Sequence, residues 1–483
     1  MSAFTVRTAA VSQPSFPARP AIRPSLIVAA GFMAVDLCAL ATACLGAVLV
    51  RYAIRTDYEL SFYLSMAPVL LLFLAAYALS GLYPGVALSP VLELELLCKT
   101  TTATFLLLIA VSFFLRDVEA YSRVALLLAW GLGVPAVIVG RLAARRFFGN
   151  RSWWGVPVVL MGRIEDCEAV VAQLHRHKGL GLKAIRVLTD SYPSENSVHG
   201  VPVHHDYSLA GSFAERSGIE YCVLAMPRLR GDALMEFFER YAARFRNVVV
   251  IPDLFGLASL GTQTRDFGGI LGIEIRQRLL LRVPRAAKRL TDLALCGASI
   301  VLLAPLLGVL WLAVRLSSHG PAFYSHTRIG QDGRMFAMLK FRTMYSNGKE
   351  ILDRHLAEDP EAAGEWERER KLRHDPRVTP VGRFLRRTSL DELPQLWNVL
   401  RGDMSLIGPR PIPESELPRY PGHLYFRVSP GLTGLWQVSG RNNTSYAERV
   451  FFDEYYVRNW SIWLDLHILM RTIRVVLTGE GAY

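Results

Sequence analysis

Four long apolar runs dominate the first third of the chain, at about Leu26–Val50, Phe62–Leu82, Leu96–Leu115 and Val124–Val139. Each approaches the roughly 17–25 residues that a helix needs to cross a bilayer. The connectors RYAIRTDYEL and RDVEAYSR carry both signs of charge. Cations precede the first run (Arg7, Arg19, Arg23) and crowd after the fourth, from Arg141 to Arg146. Loops on the cytoplasmic side of a membrane carry excess Lys and Arg. The pattern therefore predicts a four-helix transmembrane bundle over residues 1–150, with both ends in the cytoplasm. No short apolar segment with a cleavage site precedes it, so the first run reads as a retained anchor.

After Asn150 the period changes. VPVVLMG reads as a buried strand, followed by a turn and the helical pattern EDCEAVVAQLHRH. LKAIRVLT, YCVLAMP and NVVVIPD are further strand candidates, with DALMEFFERYAARF as a helix between the last two. Strands alternating with helices predict a parallel, Rossmann-like α/β domain over residues 151–275. The first turn, MGRIED, has one glycine, Gly162, where a dinucleotide site wants GxGxxG. No YxxxK follows. The expectation is a regulatory or dimerising domain with no demonstrable cofactor.

A basic stretch follows: five arginines and one lysine lie between Arg276 and Arg289, a cluster suited to anionic lipid headgroups. Leu293–Val314 then offers 22 residues without a charge, long enough to cross a bilayer. Pro305 sits at its middle, where it removes a helical hydrogen bond and favours a kink. The helix either spans, bent, or enters and returns on one side.

From His319 onward the pattern is that of a soluble domain dense in arginine. Composition sharpens this. The chain has 483 residues, 51% of them hydrophobic, with a net charge of +12. That excess suits phosphate-bearing substrates or an anionic membrane. Nucleic acid is not expected, since no basic run is interleaved with aromatics. Six scattered cysteines without a CxxC pair indicate neither zinc nor a disulfide framework.

The densest chemistry lies in RRTSLDELPQLWNVLRGDMSLIGPRP, Arg386 to Pro411. Ser389 and Glu392 have the spacing of a capping box. A helix starting near Asp391 instead would put Pro394 in the first turn, where its missing N–H costs little. Asp391 would then stand at an anion-favouring helix end, ionised among cations and placed to attack phosphorus. Glu392 could hold a magnesium ion. Lys340 and Arg342 of MLKFRTM lie two apart, on one face of a strand. Arg386, Arg387 and Arg410 add cations suited to a diphosphate.

KRLTD (Lys288–Asp292), KFRTM, RRTSLDELPQLWNVLRGDMSLIGPRP and PGLTGLWQVSGRN resemble the successive motifs of the bacterial sugar transferases called monotopic phosphoglycosyl transferases. The likeness covers roughly Ala286 to the C-terminus. The closing stretch NWSIWLDLHILMRTIRVVLTGEGAY is most similar to the undecaprenyl-phosphate galactose phosphotransferases. The resemblance implies a catalytic domain over 276–483 with a re-entrant helix at about 291–315, kinked at Pro305. It implies transfer of hexose-1-phosphate from a UDP-sugar to undecaprenyl phosphate, releasing UMP and initiating exopolysaccharide, capsule or lipopolysaccharide O-antigen assembly. Galactose is favoured and glucose comes next. Asp391 would be the nucleophile and Glu392 would assist at Mg2+, with Asp391 beside it. Lys340, Arg342, Arg386, Arg387 and Arg410 would line the phosphate pocket, and Gln437 and Arg441 would lie near the nucleotide. The family commonly carries Ser-Pro at the kink, whereas this chain has Ala304-Pro305. The expected enzyme is a multi-pass homodimer in the bacterial cytoplasmic membrane, its catalytic domain facing the cytoplasm. A non-enzymatic membrane sensor or scaffold with a ligand-binding α/β domain would leave these motifs unexplained.

Overall fold

The computed structural model describes residues 20, 23–54, 67–114, 123–149, 151, 153–190, 196–229, 231–252, 262–266, 271–274, 279, 281–369, 372, 374–420, 425–440 and 444–478. Two compact units emerge, Met1–Phe255 and Gly256–Tyr483.

In the first unit, apolar helices span Pro24–Ile54, Leu70–Leu79, Pro90–Phe114 and Arg123–Phe148. Three of them are long and apolar enough to cross a membrane, and the second, as described, is shorter. Leu40, Phe73, Tyr77, Phe105 and Val137 form their shared core. Arg141, expected on the cationic flank, turns inward instead. Its guanidinium donates to Asp36 at 2.7 Å and to Glu93 at 2.9 Å, and Arg145 donates to Glu93 at 2.9 Å. Buried charges persist only when paired. Two of the cations behind the orientation argument are thus neutralised inside the bundle.

The α/β layer is a six-stranded sheet. Its strands are β1 (Val156–Gly162), β2 (Leu182–Leu188), β3 (Ser197–Val198), β4 (Val201–His204), β5 (Tyr221–Ala225) and β6 (Asn247–Val250). Their order is β3-β4-β2-β1-β5-β6, parallel except between β3 and β4. Helix Ile164–Arg176 follows β1. Gly162 owes its identity to packing, because a Cβ there would lie 2.2 Å from the Ala225 carbonyl oxygen. Phe32 and Val28 of the first helix share a core with Trp154 and Val156, so bundle and sheet fold as one unit.

The second unit holds the antiparallel hairpin β7 (Gln263–Asp266) and β8 (Leu271–Glu274), then one uninterrupted helix, Arg282–Ser317, with Pro305 inside it. At about 1.5 Å per residue this helix is about 54 Å long. Both of its ends pack on the same body. Towards the N-terminus, Arg289 donates to the Val399 and Leu400 carbonyls at 2.7 and 2.9 Å, and Lys288 pairs with Asp465 at 2.9 Å. Towards the C-terminus, Leu310 and Val314 sit in a core with Ala322, Phe341 and Leu385. Between these anchors Val301 and Leu302 are 78% and 79% exposed.

Beyond it lie the antiparallel hairpin β9 (Phe323–Ile329) and β10 (Met335–Phe341), helices Gly348–Glu358, Pro360–Glu369, Pro380–Thr388 and Gln395–Arg401, and the parallel pair β11 (Ser405–Ile407) and β12 (Gly431–Thr433). Helices Leu435–Ser439, Tyr446–Asn459 and Ile462–Thr478 complete it.

Candidate active site

Helix Pro380–Thr388 begins at Thr379, whose hydroxyl accepts from the Gly382 N–H at 2.9 Å, with Pro380 at the first helical position. It ends at Ser389, which takes a left-handed conformation (φ 56°). Ser389 therefore terminates one helix, and its side chain makes no cap bond to the turn that follows, which corrects the capping-box reading. Leu390–Glu392 form a single 3₁₀ turn, and Pro394 is the N-cap of Gln395–Arg401. Asp391 thus stands on a tight turn between two helices, not at an α-helix N-terminus. Pro394 still loses nothing, since its position needs no N–H donor.

This turn faces a cavity of about 980 Å³. Lys340, Arg342, Lys349, Arg377, Arg386 and Arg410 line it with Asp391 and Glu392, giving six cations against two acids among the described residues. The Lys340 ammonium, at the end of β10, donates to Glu392 at 2.7 Å and lies 3.6 Å from Asp391. Burial pushes the Asp391 carboxyl above the usual carboxylate range; Lys340 pulls it down, and Glu392 adds to the rise. Cations alone were expected to hold it ionised, and desolvation opposes them.

The other predicted residues divide. Arg386 lines the cavity and donates Nε to the Thr343 hydroxyl at 2.9 Å. Arg387 is exposed and is not among the lining residues. Arg342 follows β10 and is buried, and its guanidinium donates to the Ser318 and His319 carbonyls at 2.7 and 3.0 Å. It therefore pins the end of the long helix while bordering the cavity. Gln437 lines the cavity and donates to the Leu432 carbonyl at 3.0 Å. Arg441 lies outside the described residues.

Arg410 is clamped on three sides. Its N–H donates to Asp453 at 3.4 Å, its carbonyl accepts from the Tyr425 hydroxyl, and its guanidinium lies 5.0 Å from the Trp436 ring centre. Asp453 also accepts from the Tyr420 hydroxyl at 2.9 Å. Burial raises the Asp453 carboxyl to about 7 against the pull of Tyr420 and Arg449. The sequence reading missed Asp453 and its tyrosines. FDEYY reads as an ordinary helical face, and only tertiary packing buries its first acid.

Among the described residues no three His, Cys, Asp or Glu side chains gather into a metal cage. Two adjacent carboxylates in a cavity lined with cations do fit magnesium, which takes one or two carboxylates and completes its shell with phosphates and water.

The family model described as bacterial sugar transferase matches residues 283–479, and that described as CoA-binding domain matches 78–252. The UDP-galactose-lipid carrier transferase of Erwinia amylovora is 39% identical over 75% of this chain and 76% of its own. The undecaprenyl-phosphate galactose phosphotransferase of Salmonella typhimurium is 36% identical over 75% and 77%. Exopolysaccharide production protein ExoY of Rhizobium meliloti is 49% identical over 41% of this chain and 88% of its own. The acid turn, its cationic cavity and these likenesses agree: the chain belongs to the bacterial sugar transferase family and is an enzyme of that class.

Proposed function

We propose that this enzyme transfers hexose-1-phosphate from a UDP-hexose to undecaprenyl phosphate, releasing UMP and starting assembly of a cell-surface polysaccharide. The observation that carries the reading is Asp391, mostly buried yet lining a cavity whose other charged groups are six cations and Glu392. A carboxylate oxygen of Asp391 attacks the sugar-bearing phosphorus. The bond from that phosphorus to the bridging oxygen breaks, and UMP leaves with the electron pair. A phosphate oxygen of undecaprenyl phosphate then attacks the same phosphorus and displaces the Asp391 carboxylate. Arg410 and Arg386 hold the phosphates, and Lys340 balances charge between the two acids. Magnesium, held through Glu392 with Asp391 beside it, would neutralise charge on the diphosphate.

Galactose is the favoured hexose, because the two longest-matching relatives named above act in galactose transfer; glucose is the next choice. The long helix supports a re-entrant path: both ends anchor on one soluble body, while Val301 and Leu302 in its uncharged middle are bare. A spanning helix would need that body on both faces of the membrane. UDP-sugars are cytoplasmic, so the catalytic unit faces the cytoplasm. The Rossmann-like sheet is regulatory or dimerising; Val249 and Val250 on its edge strand β6 are 40% and 41% exposed, and such an edge pairs readily. UMP release measured across a panel of UDP-hexoses tests the reaction. Turnover with UDP-galactose and magnesium dependence support it, and no UMP from any UDP-hexose would refute it.

A further inference from the structure

A second cavity, of about 430 Å³, shares no lining residue with the first. It lies between the start of the long helix and three distant segments, at Gln331, Gly402–Ser405 and Arg427–Ser429. Arg282, Arg285, Lys288 and Arg289 line it from the helix, Arg427 from one loop, and Asp292 is its only acid among the described residues. Not all these cations are free. Lys288 is paired with Asp465, Arg289 holds the Val399 and Leu400 carbonyls, and Arg285 donates Nε to the Leu279 carbonyl at 3.2 Å. The guanidiniums of Arg282 and Arg427 have no hydrogen-bond or ion-pair partner among the described residues. Two unpaired arginine forks converging on one cavity call for an anion that accepts several hydrogen bonds.

The surroundings say where that anion comes from. Leu281, Val283 and Leu290, on the same stretch of chain, are 52%, 79% and 68% exposed. Four residues after Arg289 the 22-residue uncharged segment begins. Whether that segment dips or crosses, its basic end lies at headgroup level, with apolar side chains beside the cations. A free cytoplasmic anion would not call for the apolar rim; a phospholipid brings acyl chains to cover it.

We propose that this cavity binds the phosphate of one anionic phospholipid headgroup, at a site separate from the one where chemistry occurs. Through Arg289 the headgroup site is joined to helix Gln395–Arg401, which follows the acid turn directly. A bound lipid thus holds the catalytic body at a fixed height on the membrane.

Full-length protein purified in detergent is given an equal mixture of phosphatidylglycerol and phosphatidylcholine, and retained lipid is read by native mass spectrometry. The comparison is wild type, Arg282→Gln/Arg427→Gln, and Arg354→Gln as an exposed-cation control. Wild type and control should retain phosphatidylglycerol preferentially. The double variant should lose that preference by about tenfold or more, since each surface cation contributes about 1 kcal/mol. Both substituted arginines are exposed, and retained far-ultraviolet dichroism checks that the variant is folded. Equal retention in all three proteins overturns the proposal. Displacement by inorganic phosphate as readily as by phosphatidylglycerol would make the ligand a free anion and overturn it too. Displacement by undecaprenyl phosphate, with a raised KM for it in the double variant, would make this the acceptor's own site. Lipid retention is read without turnover, so it stands or falls apart from the transferase reading.

Discussion

Lys340 serves two carboxylates with one ammonium, at 2.7 Å from Glu392 and 3.6 Å from Asp391. Replacing it with methionine keeps the length of the side chain and removes the charge. UMP release should fall about a hundredfold, the usual cost of losing one preorganised charge at a reacting phosphate; a loss under about twofold would exclude Lys340 from the site. Asp453 gives a different signature. Its folded carboxyl titrates near 7, above an unfolded value of about 3.9. The folded state therefore holds its proton more tightly, and the stability so gained is full below pH 4 and lost as pH rises through 7. Asp453→Asn cannot ionise, so its melting temperature should fall less than wild type's between pH 5 and pH 8. Parallel curves would mean that Asp453 is ionised throughout. The acids of the turn were legible because charge patterning exposes them: two acids stand among arginines. Asp453 was not, since nothing local separates it from its helical neighbour Glu454.

The long helix is the element on which most of the site hangs. Arg342 closes its C-terminal end with bonds to the Ser318 and His319 carbonyls. Arg342→Gln should cost about 2–3 kcal/mol, the worth of one or two charge-assisted bonds, read as a lower denaturation midpoint with unchanged KM for the UDP-hexose. A raised KM at unchanged stability would instead make Arg342 a substrate ligand. The re-entrant path is tested with single cysteines at His319 and Glu358, both exposed, in a chain without its native cysteines. Neither should react with an impermeant thiol reagent outside intact cells, and both should react after permeabilisation. Labelling of intact cells would mean that the helix crosses. Strands β1, β2, β5 and β6 and the apolar helices were legible because each is a long periodic or apolar run. The pair β3–β4 was not: two and four residues, with Pro202 among them, carry too little pattern. The acid turn was misread because the left-handed Ser389 is a tertiary outcome without a glycine to announce it.

At the scale of the whole molecule, the acid turn and every residue lining its cavity fall within Gly256–Tyr483, so the proposed chemistry needs only that unit. The Rhizobium meliloti relative matches only 41% of this chain, yet 88% of its own length is covered. A chain of residues 256–483 in lipid should therefore retain UMP release within about tenfold of the full protein. A folded but inactive unit would show that the first unit completes the site. The passage from apolar helix to sheet was legible from the change of hydrophobic period at Asn150, which falls between helix Arg123–Phe148 and β1. The tight joining of bundle and sheet through Phe32 and Trp154 was not, because it depends on packing between segments far apart in sequence. In the proposed reaction Asp391 carries the phosphosugar between the two half-reactions. Intact-protein mass spectrometry after incubation with UDP-hexose and magnesium, but no lipid acceptor, tests it most directly. Wild type should gain one hexose phosphate, mapped to Asp391, and release one equivalent of UMP, while Asp391→Asn does neither. UMP formed only when undecaprenyl phosphate is present, with no adduct on the protein, would contradict it.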